Sequence, residues 1–309
     1  MDMSATNVYV IVVTYKGQQW YERCFESLRK SEMAVQTVVV DNASNDGTLE
    51  YIRTYYPEIH LMAQEQNLGF GRANNIGIRY AMEQDCDYVF LLNQDAWVEP
   101  NTIGELVRIH QAHKEYGLLS PMHLTADEQH IEDGVLHYVS DYKTTDRNIV
   151  DDMYFGRLQE VYQTQYINAA AWLLPRKTLE TVGGFDPIYF HYAEDDDYLH
   201  RVHYHGWQIG ICPQVKVVHD AVRPNRVVTP AQQLLRHHQQ LLVQYTDINN
   251  PDKLLDGISY MYRKSFTKLL RGMPNVAKQM WHDACYLLRS RKRIGESRKT
   301  NQLRQASWL

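Results

Sequence analysis

Apolar runs separated by amphipathic stretches set the frame of this chain. Residues 8 to 13, VYVIVV, and 36 to 40, QTVVV, are short β-branched runs of the kind buried on both faces of a parallel sheet. Between them Trp20, Cys24, Phe25 and Leu28 recur at helical spacing. After Asp41 a polar turn, NASNDG, leads into a second helical pattern. Residues 58 to 62 predict a third strand, 72 to 84 a helix, and 87 to 92 (DYVFLL) a fourth strand running into Asn93, Gln94 and Asp95. This alternation predicts a doubly wound α/β sheet.

The rhythm loosens over 122 to 165, a polar segment with His123, His130 and His137 that reads as an insertion shaping a site. It returns with YINAAAWLLPR (166 to 176), expected as a strand, then a short helix to Val182, the turn Gly183-Gly184, and two strand-like runs, WQIGIC (207 to 212) and VKVVH (215 to 219). From Thr229 the pattern is helical, with Pro230 near the first start and Pro251 and Pro274 as breaks. A boundary near 230 is expected, dividing residues 1–230 from a helical extension over 231–309.

Charge sharpens that division. Residues 1 to 250 hold 19 basic and 33 acidic side chains, whereas 251 to 309 hold 13 basic and 4 acidic. A basic segment beside an acidic body suits an anionic partner, whether a membrane surface, a lipid phosphate or nucleic acid, and suits equally a solvated helix surface or one packed on the body. SYMYRKSFTKLLRGM (259 to 273) has the composition of a helix lying on an anionic membrane. No nucleic-acid-binding motif is present, so nucleic acid is not expected as a partner. The four cysteines are far apart with no C-x-x-C pair, and read as reduced and structural. The opening MDMSATN lacks the pattern of a secretory signal, and no apolar run has membrane-spanning length. A cytoplasmic protein is expected, peripheral at the inner face of the membrane if the tail binds there.

Ligands of open α/β sheets sit at the carboxyl ends of strands. There the chain carries Thr14-Tyr15, Asp41-Asn42, Asn93-Gln94-Asp95 and His219-Asp220. QNLGFGRANNIG (66 to 77) has G-x-G before a helix but comes after the third strand, so it is no dinucleotide fingerprint, and hydride transfer is disfavoured. Asp95, a single carboxylate among amides, suits Mg2+ or Mn2+, which keep waters and accept phosphate oxygens; His219 can add an imidazole. Four acids in a row, Glu194 to Asp197, cannot share one helix face, because neighbours are about 100° apart. Some serve a helix N-terminus and at most two point into a site. Tyr192 and Trp172 are candidates to line an acceptor pocket, and Phe190 is expected in the core.

Six stretches in order, VVTYKG (12 to 17), VVVDNASNDGT (38 to 48), NLGFGRANNIG (67 to 77), LLNQDAWV (91 to 98), GGFDPIYFHYAEDDDYLHRVHYHGW (183 to 207) and VVHD (217 to 220), resemble the family two inverting glycosyltransferases, closest to their bacterial rhamnosyltransferase branch. The resemblance implies a GT-A fold with a mostly parallel sheet, a nucleotide-diphosphate sugar donor and a divalent metal. It assigns donor contacts to Thr14, Asp41, Asn67, Asn74, Asn93 and Asp95, metal ligation to Asp95 and His219, and the base to Asp195 in the motif pair with Glu194. Asn93 replaces the first acid of the family's D-x-D. Asp197 is expected to partner Arg201, and Asp196 to face solvent. The implied reaction moves a sugar, with dTDP-rhamnose as the branch suggests or a UDP-hexose instead, to a glycan or lipid-linked acceptor of surface polysaccharide. A sugar-phosphate nucleotidyltransferase lacks its basic glycine-rich signature here, and a non-catalytic glycan-binding protein would be expected to have lost Asp95 or Asp195.

Overall fold

The computed structural model describes residues 6–140, 148–221, 228–250 and 253–309. The first half has the expected alternation: β1 (Val8–Thr14), α1 (Gln18–Arg29), β2 (Val35–Asp41), α2 (Thr48–Tyr55), β3 (His60–Ala63), α3 (Phe70–Glu83) and β4 (Tyr88–Asn93). Side chains alternate across a strand, so each apolar run feeds both faces of the sheet. Val8, Val10 and Val12 of β1 enter one core and Tyr9 and Ile11 the other. This two-sided burial is why the run is continuous rather than alternating.

β5 (Ala96–Val98), α4 (Thr102–Ala112), β6 (Tyr116–Leu124), α5 (Asp133–Ser140), α6 (Ile149–Tyr154), β7 (Tyr162–Thr164), β8 (Ala171–Pro175), α7 (Arg176–Val182), α8 (Glu194–Tyr204) and β9 (Gln208–His219) complete a nine-stranded sheet of order β3-β2-β1-β4-β8-β6-β9-β5, with β7 paired to β9. β1 to β4, β6 and β9 run one way, and β5, β7 and β8 run against them. The sheet is mixed, with β8 inserted antiparallel between β4 and β6, rather than parallel throughout.

Three local expectations need correction. The strand expected over 166 to 176 occupies only Ala171–Pro175, leaving 166 to 170 as a loop. The two runs expected at 207 to 212 and 215 to 219 are one strand; its pairing with β6 skips from Pro121↔Cys212 to Met122↔Lys216, and Pro213, which has no N–H to give, falls in the skipped part. In the loose segment, residues 122 to 140 and 148 to 165 form the end of β6, α5, α6 and β7, while 141–147 lie outside the described residues, as does Pro251.

The remaining chain is helical: α9 (Pro230–Thr246), α10 (Leu254–Leu270) and α11 (Pro274–Asn301). Thr229 and Gln232 close a capping box over α9, with Pro230 just inside it, and Pro274 opens α11. These helices share a third core with Ile188, Tyr189 and Ala193, the residues that lead into α8. Asp186 ties the two parts further, accepting from Ser297 Oγ and, at 2.9 Å, from Asn301 Nδ2. Among the described residues no helix is long and apolar enough to cross a membrane.

Candidate active site

Because β1, β2, β4 and β9 share one direction, their polar carboxyl ends meet at one edge. Thr14 is the register partner of Asp41 and donates its hydroxyl to Asp41 Oδ2 at 2.9 Å, while Ser44 N–H donates to Oδ1 at 2.8 Å. Thr14 and Asp41 are both fully buried. Asn42 holds the neighbouring loop through Leu68 N and Gly69 O. Gly69 there has φ +85°, and a Cβ on it would sit 1.9 Å from the Phe190 carbonyl oxygen, so only glycine lets this loop touch the one that precedes α8. Asn67 caps Gly69 N and Asn74 bonds Phe70 O, so each secures its own loop or helix. Asn75 exchanges two hydrogen bonds with the Phe185 backbone, fixing α3 to the same loop.

The second group forms where β5 turns back on β9. Ala96 pairs with His219, which brings Asp95, one residue earlier, to 3.5 Å between its Oδ1 and His219 Nε2. Asn93 Nδ2 lies 3.4 Å from the same nitrogen. Behind the ring, Nδ1 meets Glu132 Oε2 at 2.9 Å, and Glu132 is in turn 3.4 Å from His123 Nδ1. Burial works against charge on His219, but the carboxylates of Asp95 and Glu132 outweigh it and raise its pKa to about 9. Burial likewise works to raise the Glu132 carboxyl, yet the neighbouring His123 and His219 rings hold it at about 2. Burial lowers the pKa of His123, which favours its neutral form.

His123, Glu132 and His219 have ligand atoms within 4.8 Å of one another, but Glu132 is already bonded to His219 Nδ1 and His123 is wholly buried. The pair better arranged for a divalent cation is Asp95 Oδ1 with His219 Nε2, whose imidazole is oriented from behind by Glu132 in the manner common to metal-binding histidines. One carboxylate and one imidazole, with room for water and phosphate oxygens, suit Mn2+ or Mg2+.

The third group is the start of α8. Tyr192 and Ala193 both have positive φ, +73° and +65°, a costly backbone for non-glycine residues that swings the first acids inward. Glu194 is buried with no hydrogen-bond partner for Oε2, and burial, reinforced by the charge of Asp195, raises its pKa. Asp195 accepts from Tyr166 O–H at 3.1 Å and from Asp196 N–H at 3.0 Å; burial and then the Asp196 charge raise its pKa as well. Asp196, expected to face water, instead accepts from Gln240 Nε2 at 3.3 Å, because α9 packs over this end of the helix. Asp197 does pair with Arg201, at 2.8 Å and fully buried, and Arg201 also bonds Val182 O.

The second and third groups meet in one cleft, and the Thr14 and Asp41 group is not among its walls. A cleft of about 280 Å3 is lined by Asn93 and His219 together with Glu194, Asp195, Asp196, Tyr166 and Tyr192. Trp172 is not among its walls: it is wholly buried on β8, stacked 6.2 Å from Phe185 and packed on Tyr198. Its neighbour role passes to Tyr166, in the loop that was expected to be strand. Phe190 reverses the other way, 48% exposed where core was expected. Tyr192 lines the cleft and takes a hydrogen bond from Arg236 at 3.0 Å. Glu132 was missed because it sits in the segment without periodicity; an acid there, after His123, was its only signal.

Residues 9–183 match the family described as Glycosyl transferase family 2. The chain is 27% identical over 258 residues to an N-acetylglucosaminyl-diphospho-decaprenol L-rhamnosyltransferase of Mycobacterium tuberculosis, covering 77% of this chain and 83% of that protein. It is 23% identical over 214 residues to the dTDP-rhamnosyl transferase RfbF of Shigella flexneri, covering 69% of each. In three dimensions it resembles the mannosyltransferase PcManGT of Pyrobaculum calidifontis, solved with GDP-Man and Mn2+, at a TM-score of 0.55 and 19% identity over 97% of this chain and 75% of that one.

Proposed function

Because this chain belongs to glycosyl transferase family 2 and has its GT-A fold, we propose that it is an inverting, metal-dependent hexosyltransferase that moves a sugar from a nucleotide-diphosphate donor to an acceptor hydroxyl. The observation that carries this reading is the shared cleft, which Asn93 and His219 line together with Glu194, Asp195 and Asp196, with Asp95 Oδ1 3.5 Å from His219 Nε2. Residues 1–230 make up the catalytic part and 231–309 a basic helical extension.

Thr14 and Asp41 hold the base end of the donor, with Asn67 and Asn74 shaping the loop beside it and Asn93 meeting the ribose through a neutral amide. Asp95 and His219 bind Mn2+ or Mg2+, which when bound offsets charge on the departing diphosphate. Asp195 acts as base: it takes the proton of the acceptor hydroxyl as that oxygen bonds to the anomeric carbon from the face opposite the diphosphate, and the carbon–diphosphate bond breaks. Such a base contributes roughly 10²- to 10⁴-fold. Asp195 is favoured over Glu194 because it opens to the cleft with Tyr166 supporting its ionised form, whereas Glu194 Oε2 is buried and unpartnered. Burial and the Asp195 charge favour the protonated form of Glu194, which suits it as a partner to the base rather than as the base. Tyr192 meets the acceptor.

The relative named for dTDP-rhamnosyl transfer supports dTDP-rhamnose as donor, and the one named for a diphospho-decaprenol supports a lipid-linked acceptor. On this reading the chain works on a glycan or lipid-linked acceptor in surface polysaccharide assembly at the cytoplasmic face. A UDP-hexose is the second donor class. Screening nucleotide sugars with Mn2+ or Mg2+ for release of the nucleoside diphosphate tests the reading: release from dTDP-rhamnose that stops with EDTA is expected, and release from no nucleotide sugar overturns it.

A further inference from the structure

α10 and α11 form a hairpin that turns at Gly272, and its composition is one-sided. From Gly257 to His282 there are five basic side chains, Arg263, Lys264, Lys268, Arg271 and Lys278, and no Asp or Glu. None of the five is in an ion pair among the described residues; Lys264 lies over the Tyr260 ring and Lys268 touches Met273 Sδ. An exposed helical surface in water ordinarily mixes both signs.

The packing is also inverted. The buried positions between the helices near the turn are small, Ser265 and Ala277, joined by a hydrogen bond from Ser265 Oγ to Ala277 O at 2.6 Å. The large apolar side chains point outward instead: Phe266 (64% exposed), Leu269 (55%), Leu270 (73%), Met273 (42%) and Val276 (40%). Farther from the turn Tyr260 and Trp281 are exposed too, on opposite helices. An apolar tip, cations among and behind it, and aromatic side chains above form the layering that a membrane interface selects.

We propose that the α10–α11 turn inserts into the interface of an anionic phospholipid bilayer, with Phe266, Leu269, Leu270 and Met273 among the acyl chains and the five cations over the headgroups. Charge complementarity singles out this occupant. A second copy of the chain seated on the same patch would bring like charges together, which opposes that pairing. The other end of α11 is clamped to the body through Arg298, Ser297 and Asn301, so the hairpin holds the cleft at a fixed height above the surface it enters. The proposal stands whichever donor the cleft takes.

Flotation of the full chain with vesicles of phosphatidylcholine alone, or of equimolar phosphatidylcholine and phosphatidylglycerol, tests it. The chain is expected to float with the mixed vesicles only, and less at high salt. Lys264→Gln, Lys268→Gln and Arg271→Gln together are expected to lower the partition coefficient by about fivefold per charge. Phe266→Ser, Leu269→Ser and Leu270→Ser together are expected to abolish flotation while the far-UV dichroism and nucleotide binding stay as in the parent. Absence of flotation by the parent, equal flotation of the parent and both variants, or light scattering showing a dimer that the serine variant dissolves would each overturn the proposal.

Discussion

Glu132 and His219 are joined by a hydrogen bond of 2.9 Å that leaves the opposite ring nitrogen facing Asp95. This contact makes the irregular segment between β6 and β7 part of the site, since Glu132 reaches His219 from there. It also gives Glu132 a role separable from the Asp95 side of the ring: it holds the His219 imidazole in place from behind.

Glu132→Gln keeps the shape of that contact and removes its charge. Affinity for Mn2+ is expected to fall by about 10- to 100-fold, as for other carboxylates behind a ligating histidine. Titration of Mn2+ by calorimetry checks this, with Asp95→Asn as the comparison that weakens metal-dependent donor binding directly.

The acids of α8 predict a pH dependence. The Asp195 carboxyl is raised by burial and by the charge of Asp196, so the base is lost to protonation as pH falls through a value above the ordinary aspartate pKa of about 3.9. Activity is therefore present above that value and lost below it. Asp196→Asn removes the like charge, favours the ionised base, and is expected to move the acid limb of kcat/KM to lower pH; Tyr166→Phe removes a donor to the ionised form and moves it to higher pH.

Trp172 separates the packing account from an acceptor role. Trp172→Ala is expected to cost about 3–5 kcal/mol of stability, as for a large aromatic removed from a close-packed core. Denaturant unfolding measures that, and Trp172→Phe is expected to leave the acceptor KM unchanged.

Asp186 links α11 to the loop that feeds α8. Asn301→Ala removes one of the hydrogen bonds to its buried carboxylate, with an expected cost of about 1–3 kcal/mol. A lower kcat with donor affinity retained, read from initial rates and from nucleotide binding, is the expected signature, because the loop leads into the acids of α8 and not into the residues proposed to hold the nucleotide.

Much of this architecture was legible in the sequence, for identifiable reasons. β1, β2 and β4 are continuous β-branched or aromatic runs, and each ends abruptly in polar residues, Thr14, Asp41 and Asn93 to Asp95, which marks the strand tips where a ligand binds. Helical spacing alone joined Asp197 to Arg201. What stayed hidden depended on contacts between distant segments. Trp172 reads as a sugar-stacking aromatic until Phe185 and Tyr198 close over it. Asp196 reads as solvated until Gln240 of α9 reaches it from 44 positions away. Glu132 and Tyr166 lie outside any periodic element, and only the tertiary fold brings Glu132 to His219 and Tyr166 to the cleft.

The central claim is that Asp195 takes the acceptor proton while Thr14, Asp41, Asp95 and His219 hold donor and cation. Measuring both nucleotide-sugar binding and sugar transfer for Asp195→Asn tests it most directly. Donor affinity is predicted to stay within about twofold of the parent while transfer drops by roughly 10²- to 10⁴-fold. Transfer at the parental rate with donor binding intact would contradict the claim.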